Sequence, residues 1–394
     1  MLVQKYKDML SKKSVIRELS EFATARGKEI GYENVFDYSL GNPGVPVPQE
    51  FTDTMIKLLQ EKDTSFLHGY SPSLGNTYVR EKVAASLERR FGLPYKKEHI
   101  FMTSGAAGAI AHAVRLISQP GDEILTFAPF FPEYHPYVDL SGAVLKVVPP
   151  SFEDFQINFE KASEMMTEKV MAVLVNTPNN PTGVVYSEET LKKLADLMTE
   201  KSKKYGHPIY LITDEPYREI VFGGKTAPCV SKFYDNSIMC YSFSKSLSIP
   251  GERIGYLAVN PACEDAETFV YMCGQISRGI GHNCPSSIIQ LAVAETLDMT
   301  ADLSVYETNM NLIYNELVDL GLTVVKPDGT FYIFPKAPIP DAKEFSKKAL
   351  EYDLILVPAD TFGAPGYFRM AYCIDTEKVE RSLPALRKLI KENY

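Results

Sequence analysis

Short apolar runs bounded by turn residues alternate with helical stretches between about residues 50 and 280. Several runs, such as VMAVLVN (170–176) and SIMCYSF (237–243), are apolar nearly throughout, as expected for strands covered on both faces. The other runs are HIFMT (99–103), DEILTF (122–127), AVLKVV (143–148), PIYLITD (208–214) and IGYLAV (254–259). Because such runs alternate with helical stretches such as Ser73–Phe91, the pattern predicts a mainly parallel α/β sheet flanked by helices.

The two ends of the chain have a different pattern. Residues 1–30 alternate at helical spacing and predict one or two amphipathic helices, and the Gly/Pro-rich LGNPGVPVP (40–48) follows as a crossing segment. Beyond about residue 280, long helical stretches and short strands (TFYIF, YFRMAYC) indicate a smaller α+β domain. We therefore expect a large domain at 45–280 and a small discontinuous domain formed by 1–44 plus 281–394.

Composition agrees with a two-domain soluble protein of 394 residues, 45% of them hydrophobic and 23% charged. The net charge of −9 argues against nucleic acid or an anionic membrane as the main partner. The six cysteines show no C-x-x-C spacing and the six histidines no metal-like spacing, so we expect reduced thiols and no metal. There is no apolar signal segment at the start and no run of membrane-spanning length, so we expect a cytoplasmic protein.

Polar residues that follow the apolar runs are the candidates for chemistry, because open α/β sheets bind ligands beyond the carboxyl ends of their strands. The first run is followed by SGAAGAI, whose small residues suit either phosphate binding at a helix N-terminus or close packing. The second run is followed by APFFPEY, where a Phe pair is either the wall for a flat ring or plain core.

Two later runs end at polar side chains. NTPNNPTG (176–183) places the amide of Asn180 in a turn-rich loop, which is either a donor or a simple turn. In DEPYREIVF, Asp214 ends an apolar run, so its carboxylate either needs a cationic partner or caps a helix; Tyr217 follows three residues later.

The last candidates are cations. YSFSKSLSIPGERIGYLA (241–258) contains Lys245 among hydroxyl residues and Arg253 after a Pro-Gly turn. YFRMAY holds Arg369 within a predicted strand, where it forms either a structural ion pair or a fork for a substrate carboxylate.

Together these groups match the needs of one cofactor. A flat ring with a phosphate, a ring nitrogen and an aldehyde requires an anion site, an aromatic wall, a carboxylate and an amine. That cofactor is pyridoxal 5′-phosphate.

The sequence also resembles the fold-type I pyridoxal-phosphate enzymes, specifically the class I/II aminotransferases related to aspartate aminotransferase. The resemblance extends from LGNPG to FRMAY, and NNPTG, DEPY and SFSKSLSIPGERIG carry it together. It implies a PLP transferase-like fold and an aminotransferase that moves an amino group from an L-amino acid to a 2-oxo acid by a ping-pong Schiff-base mechanism. Another fold-type I reaction, such as a C–S β-lyase, is the alternative.

The resemblance also implies roles for individual residues. Lys245 corresponds to the Schiff-base lysine and Asp214 to the partner of the ring nitrogen, while Tyr217 and Asn180 correspond to the donors to the phenolic oxygen. Arg369 and Gly41 correspond to the α-carboxylate site. The phosphate-site positions are Ser104, Gly105, Ala106, Ser242, Ser244 and Arg253.

Several assignments stay open. Phe131 resembles the ring-stacking aromatic, with Phe130 as the alternate, and His282 is a further candidate to face the substrate. Tyr70 resembles the tyrosine that crosses a dimer interface to the neighbour's phosphate, which implies a homodimer with shared active sites. The identity of the amino donor is not fixed, since Arg278 and Lys336 are only candidates for a second carboxylate site.

Overall fold

The computed structural model describes residues 2–11 and 15–394, which form one seven-stranded sheet and two small sheets. The strands, in chain order, are β1 (Phe36–Asp37), β2 (Ile100–Thr103), β3 (Glu123–Phe127), β4 (Val144–Val148), β5 (Val170–Asn176), β6 (Tyr210–Asp214), β7 (Ser237–Ser242), β8 (Gly255–Val259), β9 (Tyr332–Ile333), β10 (Leu354–Ile355), β11 (Val357–Pro358) and β12 (Phe368–Ala371).

The large sheet has the order β2-β8-β7-β6-β5-β3-β4. Strand β8 runs antiparallel to both of its neighbours, and the other pairs in the sheet are parallel. All seven predicted runs are strands of this sheet, so the prediction of a mainly parallel sheet is confirmed. In the register, Asn176 pairs with Asp214 and Asp214 pairs with Cys240, so β5, β6 and β7 end side by side.

Helices cover this sheet on both faces. They are α3 (Gln49–Glu61), α4 (Thr64–His68), α5 (Thr77–Phe91), α6 (Gly105–Ile117), α7 (Tyr134–Asp139), α8 (Phe159–Met165), α9 (Glu188–Tyr205), α10 (Phe243–Ser246), α11 (Ala266–Gly279) and α12 (Ser287–Glu295). Leu174 and Ile212 pack with α6 on one face, whereas Val173 and Leu211 pack with α9 on the other. Burial on both faces explains why the strand sequences are apolar nearly throughout.

Local capping sets the helix ends. Helix α5 begins at Thr77 and not at Ser73, because the side chain of Asn76 accepts a hydrogen bond from the backbone N–H of Tyr78 and fixes the N-terminus there. Helix α9 begins after Ser187, whose hydroxyl accepts from the backbone N–H of Thr190, and it ends at Gly206 in the left-handed conformation.

The remaining elements surround the two small sheets, which have the orders β1-β10 and β11-β12-β9. The helices are α1 (Gln4–Ser11), α2 (Val15–Ile30), α13 (Ser304–Asp319), α14 (Ala342–Ala349) and α15 (Thr376–Asn393). Phe36 and Tyr38 share one buried cluster with Ile313 and Leu386, so the segment before residue 45 packs with the C-terminal part. The predicted helical segment at 1–30 is confirmed as two helices; residues 1 and 12–14 lie outside the described part.

The division into domains at 45–280 and at 1–44 plus 281–394 stays a prediction. Helix α12 packs against α3 and α5 in the same apolar cluster beside the large sheet.

The six cysteines are free thiols. No helix among the described residues is both long and apolar enough to cross a membrane.

Candidate active site

A cavity of about 390 Å³ opens at the carboxyl ends of the parallel strands. It collects side chains that follow β3, β5, β6 and β7, together with residues from the C-terminal part of the chain. The predicted site residues that line it are Gly41, Ala106, Phe131, Asn180, Asp214, Tyr217, Ser242, Ser244, Lys245, Arg253 and Arg369. The structure thus brings together residues that lie more than 300 positions apart in the sequence.

Lys245 lies on the short helix α10, directly after β7. Its Nζ donates to the carbonyl oxygen of Gly41 at 2.6 Å and lies 5.2 Å from the centre of the Phe331 ring. Burial lowers the pKa of this amine to about 8, and the charges of Arg253 and Arg369 add to the lowering. The neutral amine of Lys245 is therefore more accessible near neutral pH than that of an exposed lysine.

Asp214 ends β6 at the floor of the cavity and is 6% exposed. The Tyr134 hydroxyl donates to Asp214 Oδ2 at 2.7 Å, and the amide of Asn176 donates to the Asp214 carbonyl oxygen at 2.8 Å. Burial raises the pKa of Asp214 to about 7, and the Tyr134 hydrogen bond opposes this shift. The other neighbouring charge that acts on this carboxyl is Glu215, which is not a cation. The carboxyl group therefore favours a cationic ligand beside it.

Hydroxyls and a guanidinium meet on one side of Lys245. Ser242 Oγ and Ser244 Oγ lie 2.7 Å apart, and Arg253 Nη1 donates to Ser244 Oγ at 3.4 Å. Arg253 Nη2 also donates to the carbonyl oxygen of Ser104 at 3.3 Å, which places the N-terminus of α6 next to the same group. This arrangement of donors suits an anion.

Close approach at the start of α6 depends on Gly105. Its φ of +73° belongs to the left-handed region, and a Cβ atom there would lie 2.9 Å from Arg253 Nη2 and 3.2 Å from Ser242 Oγ. Ser104 and Gly105 do not line the cavity, whereas Ala106 and the unpredicted Ala107 do. The Ser104 hydroxyl instead lies 2.9 Å from Nε2 of His282, which is not a cavity residue.

Arg369 on β12 is 2% exposed and makes no ion pair with a described carboxylate. Its Nη1 donates to Asn180 Oδ1 at 3.2 Å, and its Nη2 donates to the carbonyl oxygen of Ser39. The guanidinium carbon lies 4.6 Å from the centre of the Tyr332 ring, and Nε has no partner among the described residues. A buried guanidinium with spare donors at a cavity fits a carboxylate ligand.

The aromatic residues divide between cavity and core. Phe131 lines the cavity, whereas Phe130 is buried against Tyr134. The hydroxyls of Tyr217 and Tyr332 lie 3.1 Å apart, and both residues line the cavity. A Cβ atom at Gly41 would overlap the hydroxyl of Tyr332, so this position has no room for a side chain.

Sequence reasoning missed several cavity residues. Asn176, which ends β5, lines the cavity, and Tyr134, which lies outside its lining, donates to Asp214. Both lie at or just after the carboxyl end of an apolar run, so the carboxyl-end rule could have indicated them. Ile16 and Leu40 reach the cavity from the N-terminal segment, and no local sequence pattern predicts their place in its wall. Tyr70 is fully exposed and does not line the cavity.

The residues present fit pyridoxal phosphate. Arg253, Ser242, Ser244 and the N-terminus of α6 supply donors for a phosphate, and Asp214 supplies a buried carboxyl without a cationic partner. Lys245 supplies an amine of lowered pKa, and the cavity wall beside it contains the ring of Phe131.

Comparisons with known proteins agree with this chemistry. The family described as "Aminotransferase class I and II" matches residues 33–386. The chain is 28% identical to an aspartate aminotransferase of Thermotoga maritima (91% of this chain, 92% of the relative) and 30% identical to aromatic-amino-acid aminotransferase 2 of Thermococcus litoralis (96% of each). The crystal structure of an amino transferase from Eubacterium rectale, 42% identical, superimposes with a TM-score of 0.96 over 100% of both chains.

Fold and site thus define a fold-type I pyridoxal-phosphate enzyme. The chain belongs to the class I and II aminotransferases. It is a pyridoxal-phosphate-dependent aminotransferase whose substrates are amino acids and 2-oxo acids. The alternative of C–S β-lyase chemistry is not favoured, because the relatives named above are aminotransferases.

Proposed function

We propose that transamination takes place in this cavity, with Lys245 as the catalytic amine, Asp214 and Tyr217 beside the cofactor ring and Arg369 on the substrate carboxylate. One observation supports this most directly. Asp214 and Arg369 are buried and Lys245 is half-buried around one cavity, and none of these three ionisable groups forms an ion pair with a described residue. Buried charges normally require partners, and a zwitterionic substrate with a charged cofactor supplies them.

Pyridoxal phosphate, when bound, supplies an aldehyde that condenses with amines and a protonated ring that withdraws electrons from the substrate Cα. Because the pKa of Lys245 is about 8, Nζ can accept the substrate Cα proton and later return one from the same position. Arg369 would hold the substrate carboxylate, and the Asn180 side-chain oxygen accepts from its guanidinium and keeps it in place. Asp214, oriented by Tyr134, would hold the ring nitrogen, while Asn180 and Tyr217 would donate to the phenolic oxygen.

We assign the phosphate to Ser242, Ser244, Arg253 and the α6 turn of Ser104, Gly105 and Ala106. Their mutual contacts support this assignment, since these groups are joined by hydrogen bonds that leave further N–H and O–H donors available. The ring of Phe131, rather than that of Phe130, stacks on the cofactor, because Phe131 is the one of the pair that lines the cavity.

Borohydride reduction tests the central assignment. The protein loaded with pyridoxal phosphate, reduced and digested, should yield a pyridoxyl group on the peptide that contains Lys245. Lys245→Ala should lose this adduct and reduce transamination by at least about 10⁴-fold, since the amine acts both as nucleophile and as base. The exposed Lys232→Ala should keep both the adduct and the activity. An adduct on a different lysine, or none, would overturn the proposal.

We further propose that the preferred amino donor has an uncharged side chain. Among the described residues, the cations that line the cavity are Lys245, Arg253 and Arg369, each with an assigned role, and Glu133 adds a negative charge to the wall. Arg278 and Lys336 do not line the cavity, and Ile16 and Leu40 give it apolar surface. The relatives' names do not decide the donor, since they include both aspartate and aromatic amino acids.

Single-turnover reactions with one donor at a time, followed at the cofactor absorbance, test this donor class independently of the acceptor. Leucine or phenylalanine should react at least about tenfold faster than aspartate, because a second carboxylate would lie in the cavity without a cation. Faster reaction with aspartate would contradict this class and indicate a cation from another subunit.

We also propose a cytoplasmic homodimer with shared sites. Tyr70 lies on a surface with an exposed apolar set from α3 and α4, and large exposed apolar groups often mark protein interfaces. This set consists of Ile56, Leu59 and Phe66. The six free thiols support a reducing compartment. Light scattering on the purified protein should give about twice the 44.1 kDa chain mass.

A further inference from the structure

Two histidines lie in contact behind the first turn of α6. His282 Nε2 is 2.9 Å from Ser104 Oγ, and the rings of His112 and His282 meet edge to face with centroids 5.4 Å apart. A Cβ atom at Gly108 would lie 3.9 Å from His282 Nε2, so the His282 ring packs directly over this turn. The contacts therefore lead from His112 through His282 to the hydroxyl of Ser104.

The backbone holds His282 in this position. The His282 N–H donates to the carbonyl oxygen of Ser277 at 2.9 Å, and the Ser277 hydroxyl donates to the carbonyl oxygen of His282. Between them, Gly281 has a φ of +69°, which turns the chain back toward α6 after α11 ends at Gly279. Both main-chain groups of His282 are thus fixed by one buried serine.

His112 supports the ring of His282 from behind. It is 1% exposed, and its Nδ1 lies 2.7 Å from the carbonyl oxygen of Gly108. A carbonyl oxygen only accepts, so the proton of a neutral His112 resides on Nδ1. Burial lowers the pKa of His112, which keeps this ring neutral. His112 is therefore a fixed, uncharged surface on which His282 packs.

We propose that His282 is a positioning residue for the cofactor phosphate: its Nε2–H donates to Ser104 Oγ and directs the Ser104 hydroxyl proton toward the phosphate. A phosphate dianion only accepts hydrogen bonds, so Ser104 has to donate to it, and the serine oxygen is then free to accept from His282. In this tautomer His282 Nδ1 carries no proton, and it has no partner among the described residues. The inference rests on the proposed function, because it requires the phosphate at the α6 turn.

The first test compares cofactor binding in two variants of one residue. His282→Phe keeps a ring against His112 but removes the donor, and His282→Gln restores an N–H. Apoprotein is titrated with pyridoxal phosphate and with pyridoxal, which has no phosphate. His282→Phe should raise the Kd for pyridoxal phosphate about fivefold and leave the Kd for pyridoxal unchanged, and His282→Gln should recover most of the loss. Equal weakening of both ligands, or none, overturns the proposal.

The second test is a double-mutant cycle with Ser104→Ala. If His282 acts through the Ser104 hydroxyl, adding His282→Phe to Ser104→Ala should cause no further loss of pyridoxal phosphate affinity. Additive losses overturn the proposal. The matched control is His207→Phe, because both ring nitrogens of His207 contact carbonyl oxygens far from the cavity (Pro208 and Glu168), and its cofactor affinity should stay unchanged.

Two further measurements keep the outcomes distinct. If His282→Phe does not fold, Ser277→Ala, which removes one of the two contacts to the His282 backbone, should give a smaller loss with the same selectivity for the phosphate; a loss shared with pyridoxal overturns the proposal. Failure of the proposed function would show itself separately, as absence of the borohydride-trapped group on Lys245 in the unmodified protein.

Discussion

At the scale of single residues, the cavity contains buried charged groups that folding alone does not satisfy. Arg369 is the clearest case, because it lies at 2% exposure without a carboxylate partner among the described residues. Such a group costs stability in the free protein and is compensated when a ligand carboxylate arrives. The burial of Arg369 therefore favours the binding of a carboxylate ligand at the expense of the stability of the free protein.

Replacement of Arg369 should separate carboxylate recognition from chemistry. We expect Arg369→Lys to lower kcat/KM for amino acids by about 100-fold, because lysine loses the two-point contact of a guanidinium with a carboxylate. Reaction with a simple amine that has no carboxylate should change by less than about threefold, since that substrate never used the contact. Steady-state kinetics with both substrates check this. The exposed Arg387→Lys serves as control, and an equal loss for the amine would contradict the assigned role.

Asp214 gives a prediction on stability against pH. Its folded-state pKa of about 7 is above the ordinary value of 3.8, so the folded apoprotein binds more protons than the unfolded chain between these values. The free energy of unfolding should therefore fall, by up to about 4 kcal/mol, as the pH rises from about 4 to 7. Asp214→Asn should remove this part of the pH dependence, which urea unfolding of both apoproteins at pH 5 and 7.5 would measure.

The same Asp214→Asn variant should bind the cofactor more weakly, because an amide cannot pair with a protonated ring nitrogen. The expected combination is an apoprotein more stable at pH 7.5 and a holoprotein less active. A variant less stable than the unmodified apoprotein at pH 7.5 would show that the Asp214 carboxyl is already satisfied without the cofactor.

At the scale of elements, sequence reasoning succeeded where the physical cause was local. The seven apolar runs became the seven strands, since a strand buried on both faces has to be apolar along its length. Lys245, Asp214 and Asn180 could be predicted for the same reason, because each lies at the end of such a run or within four residues after it. Ile16 was not, because it reaches the cavity from α2 through tertiary packing alone. His282 was identified only as a candidate for the substrate, since its contact with Ser104 depends on how α11 ends.

The junction between β2 and α6 provides the element-scale prediction. Gly105→Ala should lower cofactor affinity by at least about tenfold, because the new methyl group would lie 2.9 Å from Arg253 Nη2 in addition to the strain of a positive φ. Gly206→Ala is the matched control: its φ of +76° is nearly the same, but a Cβ atom there meets nothing within 4 Å. Both variants should lose about 1 kcal/mol of stability, and only Gly105→Ala should lose cofactor affinity, which titration of apoprotein measures.

At the scale of the whole molecule, the exposed side chain of Tyr70 bears on whether two subunits share their active sites. A tyrosine that is fully exposed in one subunit and outside its own cavity can serve catalysis only across an interface. The exposed Ile56, Leu59 and Phe66 on neighbouring helices give such an interface apolar surface to bury. Dimerisation would then complete the site as well as stabilise the subunit.

Mixed dimers test this directly. We expect Lys245→Ala to be inactive and Tyr70→Ala to be strongly impaired at limiting cofactor, because one lacks the amine and the other the partner's contribution to the phosphate. In a heterodimer of the two, one site lacks both residues and the other has both. Random pairing makes half of the dimers hybrid, each with one intact site of two, so mixing should restore about a quarter of the unmodified activity. Affinity tags on the two chains verify that subunits have exchanged. If exchanged subunits stay as impaired as Tyr70→Ala alone, Tyr70 does not act across the interface, and each subunit carries a complete site of its own.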